Sequence, residues 1–253
     1  MIVKKVLIPL PNYGCDPSEV AIPWLLLTEQ NVAITFVTPE GKVAQADDIM
    51  LSGKRLGLLK PLLQARKDAQ DAFSLLEQSS SFNNPLSYRD VNEADFDALL
   101  LPGGHDKGVK EYLESDTLQQ LVVDFFLANK PVAAICHGVL LPARSINPAT
   151  GKSVINDYQC TGLLKSQELS AYYLTKWWLK DYYLTYPETT TQDELIKALA
   201  SPSQFKMGPT PLLRDDFEHL HRGFVVQDRN YLSARWPGDV YQLSLAFIKM
   251  LKN

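Results

Sequence analysis

The chain reads as an α/β protein of the doubly wound kind, with a mostly parallel sheet and helices on both faces. Three observations predict this. Strand-like runs recur at Val3–Leu10, Val32–Val37, Phe96–Gly104 and Val132–Ile135, the last apolar throughout without alternation, as suits a strand buried on both faces. Segments with helical spacing separate them. Turns rich in glycine or loop residues follow the strand ends, where such sheets gather their functional groups.

The elements follow in order. Val3–Leu10 is the first, central strand, and Pro11–Asp16 a loop. Asp16 can cap a helix with Pro17 at its first position and Glu19 at capping-box spacing. Val20, Trp24 and Leu27 share a face, Pro23 threatens a kink, and Asn31 ends the helix. After strand Val32–Val37 and the turn Thr38–Gly41, residues 42–92 show little strand pattern. Leu56–Leu76 is predicted helical with a break near Pro61, and Ser79–Pro85 a loop. Phe96–Gly104 is a strand entering a glycine turn. Ser115 caps a helix whose face is Leu118, Leu121 and Phe125.

Pro131 then opens the stretch that organises the chain. The buried strand Val132–Ile135 stops at Cys136, Gly138 follows, and Val139–Arg144 can start a helix. Further on, Pro148–Gly151 is a turn, and Lys152–Ile155 and Gln159–Thr161 are short strands. Gln167–Leu179 and Thr189–Ala200 are helices. Gly223–Ser233 is a hairpin turning at Asp228–Asn230. A last helix carries Val240, Leu243, Phe247 and Met250 on one face. No repeat or low-complexity linker interrupts the 253 residues, which predicts one domain, 1–253, with inserts at about 42–92 and 165–220.

Composition narrows the function. The chain is 45% hydrophobic, enough for a sizeable core, and its formal net charge of −4 argues against nucleic acid or an anionic membrane as partner. Three cysteines, at positions 15, 136 and 160, give neither a disulfide framework nor a CxxC pair. The opening residues are too few and too strand-like for a signal peptide. No apolar run is long enough to span a membrane. A cytoplasmic location is expected.

A buried strand that turns sharply into a helix with a cysteine at the corner has the form of a nucleophile elbow. Helix-terminal N–H groups there favour a thiolate and predict a lowered Cys136 pKa. The alternative is a buried cysteine ending a core strand. His137 is either a base or a packing contact, because adjacent side chains meet only across a special turn. Pro102-Gly-Gly-His105 ends the preceding strand, and its amides can face Cys136 and, with the His137 N–H, stabilise an oxyanion. Glu19, near the same sheet edge, either caps its helix or faces the thiol. In the second case it stays protonated. His219 and His221 lack a third ligand beside them, so no metal is expected. The aromatics Tyr172, Tyr173, Trp177, Trp178, Tyr182, Tyr183 and Tyr186 either wall a pocket or pack a lid.

Ala134-Ile-Cys-His-Gly138, Leu100-Leu-Pro-Gly-Gly-His105, Gly14-Cys-Asp-Pro-Ser-Glu19 with Pro23, and Ser233-Ala-Arg-Trp-Pro-Gly-Asp239 together resemble the ThiJ/PfpI family of the class I glutamine-amidotransferase-like superfamily. The resemblance covers nearly the whole chain. It implies a flavodoxin-like fold with inserted helical cap segments. It also implies Cys136 as nucleophile, His137 beside it, Glu19 as the acid on the thiol, and Gly104 as an oxyanion-hole amide together with His137. Large members of the family orient the histidine with an acidic residue after the elbow helix. Here the aspartate expected near Lys165 is absent, and Glu168 is the nearest acid. His105 is a further pocket residue.

Such members include glutathione-independent glyoxalases (glyoxalase III, D-lactate dehydratase), intracellular proteases or amidases, and stress-response holding chaperones. The resemblance therefore implies a cofactor-free enzyme converting a small 2-oxoaldehyde to a 2-hydroxy acid. A cysteine amidase or peptidase, a chaperone and a thiol sensor are the alternatives, and a homodimer is expected. A late histidine–glutamate pair, as in true glutamine amidotransferases, is missing.

Overall fold

Seven strands build one sheet in the computed structural model, which describes residues 3–252. The reading of the first two residues as part of a leaderless start lies outside them. In chain order the strands are β1 (Lys5–Pro9), β2 (Ala33–Thr38), β3 (Leu86–Ser87), β4 (Ala98–Leu101), β5 (Val132–Ile135), β6 (Val225–Asp228) and β7 (Tyr231–Ala234). In space the order is β6-β7-β5-β4-β1-β2-β3. Every neighbouring pair is parallel except the β6–β7 hairpin. β4, β5 and β7 are buried at every position; β4 and β5 accordingly run apolar without alternation, while the one polar residue of β7, Ser233, accepts from the Thr161 N–H.

The helices that frame the sheet and the site are α1 (Pro17–Glu29), α2 (Lys67–Leu76), α3 (Asp116–Leu127), α4 (Leu140–Arg144), α5 (Lys165–Leu179), α6 (Thr191–Ala198) and α7 (Val240–Leu251). Strand side chains alternate between two cores. Val6, Ile8, Ala133 and Ile135 pack with α1, α2 and α7. Leu7, Val132 and Ala134 pack with α3, α4 and α6 on the other face. The mixed, mostly parallel sheet flanked on both faces is the flavodoxin-like arrangement expected, with extra helices between the sheet elements.

Local rules account for α1. The Asp16 carboxylate accepts from the backbone N–H of Ser18 and Glu19, with Pro17 in the first turn. The helix runs unbroken through Pro23, and Asn31 in the left-handed region ends it. The Glu19 side chain does not close a capping box, because its carboxylate is drawn away to Gly103.

Three predicted elements differ. Leu56–Leu76 is broken at Gln64–Arg66, not at Pro61, which sits harmlessly in the first turn of a short helix, Lys60–Leu63. The break is held from outside, since Ala65 donates its N–H to the Met50 carbonyl. The expected loop at 79–85 contains a helical turn, Ser80–Asn83, capped by Ser79 and anchored by Phe82 between Phe36 and Phe73. Gln159–Thr161 forms no strand beyond a single bridge from Cys160 to Phe205. The flanking amides go instead to side chains, Gln159 to Asp228 and Thr161 to Ser233.

The returning chain is locked by a buried ion pair. Arg235 directs Nε to one Asp239 oxygen and Nη2 to the other, both at 2.9 Å, with both side chains fully buried. Among the described residues no helix is long and apolar enough to cross a membrane.

Candidate active site

β5 ends in an extended Ile135, and the next residue, Cys136, has a φ of +56°. A side chain bearing a Cβ rarely adopts this region, and such strain persists only where the surroundings enforce it. The enforcement here is steric. A Cβ on Gly138 would stand 2.2 Å from the Leu101 carbonyl oxygen, and one on Gly103 2.7 Å from the His137 nitrogen. Only glycines let the end of β4 press against the elbow this closely.

The strained turn settles the question about adjacent side chains. Cys136 Sγ lies 3.6 Å from His137 Nδ1. On the far side of the ring, His137 Nε2 is 3.9 Å from Glu168 Oε1. That is too long for a hydrogen bond, and among the described residues Nε2 has no other partner. The second Glu168 oxygen accepts from the Thr191 N–H at the start of α6. The arrangement suits the tautomer with Nε2–H toward Glu168 and the Nδ1 lone pair toward the thiol. Burial, then His105 and Arg144, hold the imidazole well below its usual pKa, so it is neutral. Burial raises Glu168 to about 7.

Glu19 faces the thiol from α1. One oxygen accepts from the Gly103 N–H at 2.8 Å. The other makes no full hydrogen bond, yet the carboxyl is close enough for its ionisation and the thiol's to oppose each other. Burial, then Asp16, hold Glu19 well above the usual carboxylate range. The expected lowering of the Cys136 pKa is overturned. Cys136 is wholly buried, and desolvation followed by the Glu19 charge pushes its pKa well up. The His137 N–H bonded to the sulfur works the other way but is outweighed. Helix-terminal donors at an elbow favour a thiolate, but they do not repay the loss of water around a sulfur with a carboxyl beside it.

The two glycines divide their work. Gly103 is pressed on the elbow with its N–H committed to Glu19. Gly104 packs against the loop at Gly14–Asp16, where a Cβ would stand 2.2 Å from the Gly14 carbonyl. Among the described residues the Gly104 N–H has no acceptor.

A cavity of about 190 Å³ lies beside this cluster. His105, Glu168 and Leu163 line it on the side of the elbow, while Met50, Leu63 and Ala65 come from the first insert and Ala171, Tyr183 and Arg214 from the second. Cys136 is not in its wall. His105 packs edge-on to both His137 and Tyr183. Of the aromatics singled out from the sequence, Tyr183 lines this cavity. Trp177 is 85% exposed, and Tyr186 instead stacks under Arg144.

Side-chain donors of His105, Cys136 and His137 lie within 4.8 Å of one another, a set that can hold a soft cation. His219 does not join them, because its Nδ1 is bonded to Asp216. Sequence reasoning passed over Arg214, Gln167 and Asp16 as cavity residues. Only the bare charge of Arg214 within an insert could have flagged it.

The family model described as ThiJ/PfpI family-like matches residues 10–209. The chain belongs to the ThiJ/PfpI family. Other members resemble it at a distance. It is 31% identical over 123 residues to the uncharacterised protein C14C4.04 of Schizosaccharomyces pombe, spanning 48% of this chain and 45% of that one, so under half of that relative is represented. It is 26% identical over 159 residues to the glutathione-independent glyoxalase hsp3102 of the same yeast, covering 62% of each chain. Among solved structures, glyoxalase III of Candida albicans superposes with a TM-score of 0.66 at 15% identity, over 98% of this chain and 97% of the other. That likeness shows a shared fold. Further relatives in the family are described as deglycases or as a general stress protein.

Proposed function

We propose that this ThiJ/PfpI protein converts small 2-oxoaldehydes such as methylglyoxal to 2-hydroxy acids such as lactate, without glutathione. The observation that carries the reading is Glu19. It is a fully buried carboxyl, biased toward its protonated form, against the one thiol of the elbow. Such a group can give its proton to the keto oxygen of a 2-oxoaldehyde and take one back as the hydrogen moves between the neighbouring carbons. The cavity of about 190 Å³ also favours a small substrate, lying below the roughly 300–1,000 Å³ typical of drug-sized ligands.

In this reading Cys136 Sγ attacks the aldehyde carbon as its proton passes to His137 Nδ1, 3.6 Å away. A hemithioacetal forms. The His137 and Gly104 N–H groups hold the developing oxyanion. Glu168, once ionised, stabilises the imidazolium. Once the imidazolium has returned its proton to the oxyanion, neutral His137 takes the hydrogen of the former aldehyde carbon while Glu19 gives its proton to the keto oxygen. The imidazolium then protonates the former keto carbon as Glu19 regains a proton from the hydroxyl of the former aldehyde carbon, giving a thioester of the 2-hydroxy acid. Water cleaves the thioester and restores the thiol. One water is consumed, and the oxidation of one carbon balances the reduction of its neighbour.

The alignment of Cys136, His137 and Glu168 favours a second reading, a cysteine amidase or peptidase. One assay separates the two. Purified protein is given methylglyoxal, and separately a panel of amides and fluorogenic peptides, each repeated with Cys136→Ala. Lactate formed by the parent protein and lost in the variant is the expected result. Peptide or amide cleavage without lactate, or equal lactate from both proteins, overturns the glyoxalase reading.

A further inference from the structure

We propose that Arg214 makes one wall of the cavity a carboxylate-binding site, so that the preferred substrate is a 2-oxoaldehyde whose keto side chain ends in a carboxylate. The proposal rests on the glyoxalase reading of Cys136 and adds the class of substrate.

Arg214 lines the cavity that His105 and Glu168 also line. Its Nη2 is turned to the carbonyls of Leu62 and Leu63, at 3.3 and 3.4 Å. Its guanidinium lies 5.9 Å from the centre of the Trp236 ring. Arg66, Arg144 and Arg235 each pair with a carboxylate; among the described residues Arg214 has no such partner within 4.0 Å. Asp16 lines the same cavity, but one of its oxygens is tied to the α1 cap. The Arg214 charge is felt at the neighbouring groups as a minor pull: it opposes the burial that raises Glu19 and adds to the burial that lowers His105.

The cavity carries further unused polar atoms. The Tyr183 hydroxyl, on a residue only 2% exposed, has no hydrogen-bond partner among the described residues. The same holds for Gln167 Oε1 and His105 Nδ1. Buried polar groups left unpaired are costly, and all three belong to residues of the cavity wall. A guanidinium beside a phenolic O–H offers donors for a carboxylate, and the planar fork suits it geometrically. Leu63, Leu163 and Trp236 supply apolar wall for the methylenes between that carboxylate and the reacting carbonyls.

The probe is 4,5-dioxopentanoate. Its aldehyde carbon would become a carboxylate and its keto carbon a hydroxyl-bearing carbon, giving 2-hydroxyglutarate with one water consumed and one proton released. The experiment compares kcat/KM for this compound and for methylglyoxal in the parent protein, Arg214→Met and Arg214→Lys. The parent should prefer the anion, and the ratio should fall about tenfold or more in the methionine variant, with partial recovery in the lysine variant. An unchanged ratio in Arg214→Met, or no preference in the parent, overturns the proposal.

A second measurement does not depend on turnover. Glutarate, but not glutaramide, should slow alkylation of Cys136 in the parent, and this protection should disappear in Arg214→Met. Protection without turnover of either aldehyde would sustain the carboxylate site and reject the glyoxalase reading. Methylglyoxal turnover without protection by glutarate would do the reverse.

Discussion

Glu168 Oε1 lies 3.9 Å from His137 Nε2, with each side chain only 1% exposed. The pair joins α5 to the elbow, and the state of its proton depends on burial more than on the partner. Desolvation raises Glu168 to about 7, from about 4.3 for a free glutamate.

That shift gives a stability prediction with a definite sign. Between about pH 4.3 and 7 the folded chain keeps a proton on Glu168 that the unfolded chain has lost, so this group lowers stability as pH rises through the window. Glu168→Gln keeps an acceptor for the Thr191 N–H and removes the titration. The Tm of the variant relative to the parent should therefore be several degrees more favourable at pH 8 than at pH 5. The buried histidines titrate with the opposite sign, but in both proteins, and largely cancel in the difference. A difference that is flat with pH, or larger at pH 5, would contradict the assignment.

Cys136 and Glu19 make a coupled pair that alkylation can read. Burial and the Glu19 charge both push the thiol up, so its reaction with iodoacetamide should keep accelerating beyond about pH 8.5, the ordinary thiol value. Glu19→Gln removes the charge and should move the profile to lower pH. Mass spectrometry must locate the label, because Cys15 and Cys160 are buried thiols as well. A parent rate that levels off below pH 8, or a profile moved upward by Glu19→Gln, would reject the coupling.

The Arg235–Asp239 pair tests the closing of the fold. Asp239 also accepts from the Phe224 N–H, and Arg235 donates to the Pro209 carbonyl, so the pair ties the end of the second insert to β7 and α7. Removing one partner of a buried pair leaves an uncompensated charge, at a cost of about 3–5 kcal/mol. Asp239→Ala should show that loss in urea unfolding, with Tm lower by roughly 10 °C. A loss below about 1 kcal/mol would show that the interior hydrates the stranded guanidinium.

What the sequence by itself determined was local. Strands buried on both faces must be apolar at every position, so β4 and β5 were legible as uninterrupted runs. Cys136 followed by Gly138 marked the elbow, because a β-strand that turns at once into a helix needs a residue without a side chain where it crosses its neighbour. Asp16 with Pro17 marked the start of α1 for equally local reasons.

The tertiary structure decided what depends on distance through space. A break at Gln64–Arg66 is set by a hydrogen bond from Ala65 to Met50, which no propensity encodes. Glu168 reaches His137 because α5 folds back over the sheet edge. The direction of the Cys136 pKa reversed because burial of the sulfur and the approach of Glu19 outweigh the helix-terminal donors that the motif advertises. Arg214 drew no notice in a chain of 25 lysines and arginines, and became distinctive only once folding put it in a largely apolar cavity wall with no carboxylate within 4.0 Å among the described residues. Periodicity and turn chemistry act over a few residues and can be read in order. Burial and charge coupling are sums over every neighbour, and only the folded chain says who those neighbours are.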